Sequence, residues 1–142
     1  MSLLDNQSTV EIKLYYKYVD VSGSKKLVII DDNKAKEMLL DEEKKGGIEV
    51  LKTGWALMTW KEQNDVMGLA QRPSADGESH FNFLVYRDAI IKRCLKTWNI
   101  TMNEKPVPVT PDAIDQLPGP VVTNLYSKFE SVIDYTEEEL GN

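Results

Sequence analysis

The stretch Val10-Glu11-Ile12-Lys13-Leu14-Tyr15-Tyr16-Lys17-Tyr18 alternates between two sets of side chains. Val10, Ile12, Leu14, Tyr16 and Tyr18 fall on one side of an extended chain, and Glu11, Lys13, Tyr15 and Lys17 on the other. A period of two marks a strand with one buried face. Ser22-Gly23-Ser24-Lys25 then supplies turn residues, and Leu27-Val28-Ile29-Ile30 is a second β-rich run. Together they predict a β-hairpin. Further on, Asp32 or Asn33 can cap a short helix carrying Ala35, Met38, Leu39 and Leu40, with Gly46-Gly47 as its stop. Residues between Ile48 and Leu57 fit a third strand, which Gly54 weakens.

Beyond Leu57 the pattern turns helical. Thr59-Trp60-Lys61-Glu62 is a capping box, in which the Thr59 hydroxyl accepts from the Glu62 amide and the Glu62 side chain reaches back. The helix it opens carries Trp60, Val66, Met67 and Ala70, and Pro73 marks its end. Ser74 to His80 are small and polar and read as an exposed loop. A longer helix is expected from about Phe81 to Trp98. Leu84, Ile91, Leu95 and Trp98 sit at helical spacing, and Phe83, Tyr86 and Ile90 widen the stripe to that of a central core helix. Lys105-Pro106-Val107-Pro108-Val109 is extended, because proline fixes φ and pushes its predecessor out of the helical region. Thr110-Pro111 is a cap followed by an N1 proline, opening a short helical turn through Ile114 and Leu117. Pro118-Gly119-Pro120 starts a last helix with Val122, Leu125, Phe129, Val132 and Ile133 on one side. The expected fold class is α+β, an N-terminal β-hairpin or small antiparallel sheet followed by a mostly α C-terminal part. With no repeat and no long linker, 1–142 reads as a single domain. It divides into a β-rich part over 8–57 with one short helix, a helical part over 59–135 and an acidic tail over 136–142.

Composition narrows the function classes. A chain of 142 residues, 42% hydrophobic, can bury one core of useful size. No apolar run approaches the roughly 18 residues a membrane-spanning helix needs. Met1-Ser2-Leu3-Leu4-Asp5-Asn6 lacks the basic and apolar regions of a secretory signal. A single cysteine, Cys94, cannot form an internal disulfide, which fits a reducing cytosol. The formal charge is −6, from 17 Lys plus Arg against 23 Asp plus Glu. That balance argues against duplex nucleic acid as a partner, since such binding rests on neutralising phosphates. Acid concentrates at the end in Glu130, Asp134, Glu137, Glu138 and Glu139, with no cation after Glu130 to offset them, and reads as a solvated terminus.

Few residues of the sequence are arranged for chemistry. His80 stands in the loop before the long helix without a second histidine or cysteine nearby, so a zinc site is not expected. Cys94 lies among apolar neighbours and reads as a small core residue; no recognised signature makes it a nucleophile with His80. Asp31, Asn33 and Glu42 have the spacing of Ca²⁺-loop positions one, three and twelve. Ala35 and Lys36, however, stand where a ligand and the obligatory glycine belong, so the acids read as cap and helix surface. Ser22 and Lys25 share a Ser-x-x-Lys spacing that reads as a polar turn. Lys92, Arg93 and Lys96 form a basic strip, either solvated or facing an acidic partner or the acidic tail. Trp55, Trp60 and Trp98 are core residues or anchors of a binding surface. No catalytic, cofactor-binding or metal residue is assigned, no cofactor is expected, and the partner-binding residues remain unknown.

From about Thr59 to Ile133 the chain resembles the tail assembly chaperones of long-tailed bacteriophages and prophages. The matching pieces are Thr59-Trp60-Lys61-Glu62-Gln63-Asn64, then Tyr86-Arg87-Asp88-Ala89-Ile90-Ile91-Lys92-Arg93 running to Trp98. The third runs from Pro106-Val107-Pro108-Val109-Thr110-Pro111 through Asp112-Ala113-Ile114-Asp115-Gln116-Leu117-Pro118 into the helix with Val121, Val122 and Leu125. The resemblance implies a non-enzymatic protein that binds the tape-measure protein, keeps its long apolar helix soluble and recruits tail-tube subunits. It would work in the host bacterial cytoplasm and be absent from the mature virion, with no nucleic-acid or membrane partner; homo-oligomerisation stays open. An acidic domain with apolar helical faces is compatible with masking an amphipathic helix. The competing readings are a structural virion protein, such as a head–tail connector or tail-completion subunit joined through the hairpin edge, and a small host-directed binding protein.

Overall fold

The computed structural model describes residues 9–73 and 77–133 together with Leu4 and Ala75, and of residues 72 and 73 the backbone alone. The expected acidic tail over 136–142, like most of the Met1–Asn6 stretch, lies outside the described residues.

The alternating segment forms β1 (Thr9–Val21), which turns into β2 (Ser24–Ile30). Ser22 and Gly23 both have positive φ, 52° and 84°. That is the turn whose twist matches a right-twisted hairpin, and it sets Val21 opposite Ser24. β3 (Glu49–Ala56) pairs antiparallel with the other side of β1, with Leu14 opposite Leu51 and Tyr16 opposite Glu49. The α+β expectation, an N-terminal antiparallel sheet followed by helices, is what the structure shows.

Helix α1 (Asp32–Leu39) is capped by Asp31 and not by the expected Asp32 or Asn33, because the Asp31 carboxylate is the one that accepts from the free amides of Asn33 and Lys34. It stops at Leu39 and does not run on to Gly46-Gly47. The Asp41 side chain accepts from the Glu43 amide at 2.9 Å, an Asx turn that diverts the backbone from helix. Leu39 and Leu40 are exposed, while Ala35 is the residue that packs inward.

Helix α2 (Trp60–Ala70) begins at Thr59 with both halves of the capping box formed. It ends at Ala70, earlier than Pro73, because Gln71–Pro73 forms β4 against β5 (Ser79–Phe81). His80 therefore sits on a short strand where an irregular loop was expected.

The long helix is shorter than its stripe suggests. α3 spans Phe83–Cys94, capped by Asn82, and Leu95–Trp98 is a strand, β6, antiparallel to β3. The expected span of Phe81 to Trp98 is thus corrected at both ends. Beside β3 an open row of amides and carbonyls needs partners, and residues 95–98 supply them. The stretch over 59–135, expected to be helical, in this way contributes the fourth strand of the sheet, whose order is β2-β1-β3-β6. It also contributes a second small hairpin, β7 (Thr101–Met102) with β8 (Lys105–Pro106), turning on Asn103 and Glu104 at positive φ.

Thr110 caps α4 (Pro111–Asp115) with proline at its start, and α5 (Gly119–Ile133) follows Pro118. Val121, Leu125, Tyr126 and Phe129 are the buried positions of α5. The stripe is rotated from the expected one: Val122 and Val132 are half-buried, and Ile133 is exposed. The core lies between α5 and the inner face of the sheet, where Trp55 stacks on Phe129 with ring centroids 4.5 Å apart. Ile12, Leu14, Leu51, Ile90, Ile91 and Cys94 complete its centre.

Candidate functional site

The residues that could have carried chemistry are kept apart. His80 is exposed on β5, before the start of α3, whereas Cys94 is buried at the far end of that helix. Twelve helical residues separate the two ends, about 18 Å at 1.5 Å per residue, so no Cys–His dyad forms. Burial first, and then the nearby Glu62 charge, push the Cys94 thiol up to about 11, opposite to the shift a nucleophile needs. Asp31 is engaged as a helix cap, and no group of three potential metal ligands occurs among the described residues.

The basic strip divides. Lys92 pairs with Asp115 at 2.9 Å and Asp88 at 3.2 Å, and the bond to Asp115 chiefly raises its pKa. Arg93 reaches Asp65 at 3.9 Å, and Asp65 also accepts from Lys61. Two of the three cations thus tie α3 to α4 and α2, and Lys96 alone is exposed. The tryptophans divide as well. Trp55 is fully buried, Trp98 is half-buried with its indole N–H donating to the Val107 carbonyl at 2.6 Å, and Trp60 is 76% exposed.

Around the β4–β5 hairpin and the start of α3 several apolar side chains stay exposed. The hairpin sets Phe81 opposite Gln71, and the Asn82 amide donates to the Ala70 carbonyl at 2.8 Å, holding the end of α2 against the start of α3. Phe81, Phe83 and Leu84 are exposed there, Leu84 by 63%, while Met67 and Leu69 are exposed on α2, about 200° apart around the helix and so on opposite sides of its buried Val66 and Ala70. The Phe81 ring leans on Tyr86 at 5.3 Å, and Phe83 meets Tyr126 edge-on at 6.3 Å. The Arg87 guanidinium lies 5.9 Å from the centre of the Phe83 ring, within cation–π range. Partly supported aromatics beside free aliphatics form the kind of surface that docks a protein partner.

No protein-family model, curated protein or solved structure matches this chain.

Two recesses lie elsewhere on the protein. One, of about 170 Å³, is lined by Tyr16, Tyr18, Leu27, Leu51, Leu117 and Val121; ligand pockets usually begin near 300 Å³. The other is an open groove of about 580 Å³ beside β1, between α1 and the end of α5. Lys128 crosses it, donating to the Lys13 carbonyl at 2.7 Å and pairing with Asp32. Sequence reading registered Phe83 and Leu84 as apolar but placed them in the core. Periodicity reports which side chains are apolar, and only the end of the neighbouring helix decides which of them stay uncovered. No helix among the described residues is long and apolar enough to cross a membrane.

Proposed function

We propose that this chain is a non-enzymatic tail assembly chaperone that binds a phage tape-measure protein and recruits tail-tube subunits, acting in the host bacterial cytoplasm. The observation that carries the reading is the group of exposed apolar side chains Phe81, Phe83 and Leu84 at the start of α3. An amphipathic helix of a partner can lay its apolar face on such a surface. The segments that resemble the chaperone family build the support of this surface: Thr59 and Glu62 cap α2, and Tyr86 to Arg93 lie in α3.

The test is co-expression with the tape-measure protein. The wild-type chain should keep the tape measure soluble and co-purify with it. Phe83→Asp with Leu84→Asp, both on exposed positions, should fold and lose the partner. Unchanged co-purification by that variant overturns the proposed surface.

A second reading has its own observation. β2 is an outer strand of the sheet, with no partner on its far side among the described residues, and a connector or tail-completion subunit could join a ring through such an edge. Quantitative mass spectrometry of purified particles separates the two. A constant copy number in particles selects the structural subunit; abundance in lysate with absence from particles selects the chaperone.

A further inference from the structure

The sheet has a second face, and its charge is opposite to that of the chain. Residues opposite one another in an antiparallel register share a face. The face turned away from α5 holds Lys13, Lys17, Lys26 and Lys52, because Lys13 lies opposite Lys52, Lys17 opposite Val28 and Lys26 opposite Val19. Glu11 is the sole acid at strand positions on that face. Taking these four cations and one acid from the chain's 17 and 23 leaves 13 against 22 elsewhere. Ile30 is the one buried strand residue on this face. This face of an acidic protein is therefore net basic.

The placement works against the fold. Lys13 and Lys52 are directly opposed across β1 and β3, where like charges destabilise a sheet. Glu11 relieves Lys13 at 3.7 Å. Among the described residues no acid stands within ion-pair distance of Lys17, Lys26 or Lys52. From Lys52 and Lys13 the row runs along β1 to Lys17 and on to Lys26, a span of about 20 Å, or about six residues of extended chain. Val19, Val28 and Val50 fill the spaces between the lysines, with Tyr15 as the one aromatic ring.

We propose that this face is a docking surface for an acidic, amphipathic polypeptide segment, distinct from the apolar surface at the α2–α3 end. Carboxylates of the segment meet the lysine row, and its aliphatic side chains pack on the valines. Single-stranded nucleic acid fits less well, because its bases call for exposed aromatic platforms and valines stand in those places. The surface is independent of the chaperone reading and does not use Phe83 or Leu84.

Fluorescence anisotropy tests this with the full chain and a fluorescein-labelled Glu-Val peptide of repeat Glu-Glu-Val-Val, about twelve residues long, which puts both residue types on each face of an extended chain. A Lys-Val peptide and an oligothymidylate serve as comparisons. At low salt the Glu-Val peptide should bind and the Lys-Val peptide should not. Lys17→Glu with Lys52→Glu should weaken binding at least about tenfold, falling further as salt screens the pairs. Lys44→Glu with Lys45→Glu, the same change of charge on the exposed turn after α1, should leave binding intact. Lys52→Glu alone should raise Tm or leave it unchanged, so its loss of binding is not a loss of fold. Equal affinity of the wild-type chain and the Lys17/Lys52 variant overturns the proposal. Tighter binding of the oligothymidylate through the same lysines replaces the polypeptide with nucleic acid and also overturns it. Binding that appears only after Glu137, Glu138 and Glu139 are changed to Gln shows that the chain's own acids take the face, and excludes a separate partner.

Discussion

One hydroxyl in the core serves two partners. Thr53 Oγ1 donates to the Ile12 carbonyl and accepts from the Trp55 indole N–H, both at 2.7 Å. Thr53→Val keeps the shape and leaves a buried indole N–H without an acceptor. The expected cost is about 1–3 kcal/mol by urea unfolding, with Thr53→Ser, which keeps the hydroxyl, closer to wild type. The next residue is constrained from outside: a Cβ on Gly54 would collide with the Thr97 hydroxyl oxygen on β6. Gly54→Ala should cost about 1–3 kcal/mol, and adding Thr97→Ala should recover much of it, a coupling that a double-mutant cycle reads directly. Cys94 acts through pH. Its thiol is raised by burial from 9.0 to about 11, so between these values the folded chain holds a proton that the unfolded chain has lost. The contribution is complete below pH 9 and disappears as pH rises through 11. Stability measured by urea at pH 8, 9, 10 and 11 should fall over that window, and Cys94→Ala should flatten the fall. Tyr16 is raised from 10.0 to about 12, chiefly by burial and then by its bond to Glu49, and Tyr126 is raised likewise by burial and its bond to Glu130, so both add to the fall above pH 10 and the step between pH 9 and 10 is the one that reports Cys94.

At the scale of elements, caps and turns were legible because their chemistry is local. Thr59 with Glu62 and Thr110 with Pro111 work where a reading of neighbouring residues puts them, while the cap of α1 falls on Asp31, just before the expected Asp32 or Asn33. β6 was not legible. Leu84, Ile91, Leu95 and Trp98 satisfy helical spacing, and what turns residues 95–98 into strand is the open edge of β3, whose paired residues Thr53 to Trp55 lie 40 to 45 positions earlier in the chain. The apolar site was half legible for a related reason: the stripe containing Phe83 and Leu84 was visible, but its exposure depends on where α2 ends. Asn99 shows how such an edge is finished. Its amide side chain accepts from the Lys52 amide at 2.9 Å and donates to the Val50 carbonyl at 3.0 Å, continuing the ladder past the end of β6. Asn99→Ala should cost about 1–2 kcal/mol for the two exposed-edge bonds. It should also speed hydrogen exchange of the Lys52 amide selectively, while amides within α5 keep their protection.

For the whole molecule the question is whether sheet and helices can part. The inner sheet face presents Leu14, Leu51 and Trp55, and α5 answers with Val121, Leu125 and Phe129 within one continuous core cluster. β6 adds a covalent reason, since the strand that closes the sheet continues directly from α3. An independent N-terminal sheet would lose its fourth strand and expose Trp55, and the helices alone would expose Phe129, so neither half has a core of its own. Cooperative loss of both is the consequence. Phe129→Ala removes the ring stacked 4.5 Å from Trp55 and should cost about 3–5 kcal/mol. Helix signal in the far-ultraviolet and tryptophan fluorescence should still lose amplitude in one coincident urea transition, moved to lower concentration with little change of slope. Two separated transitions, with fluorescence lost before helicity, would mean that the sheet unfolds alone and that the Trp55–Phe129 contact is an interface between two units.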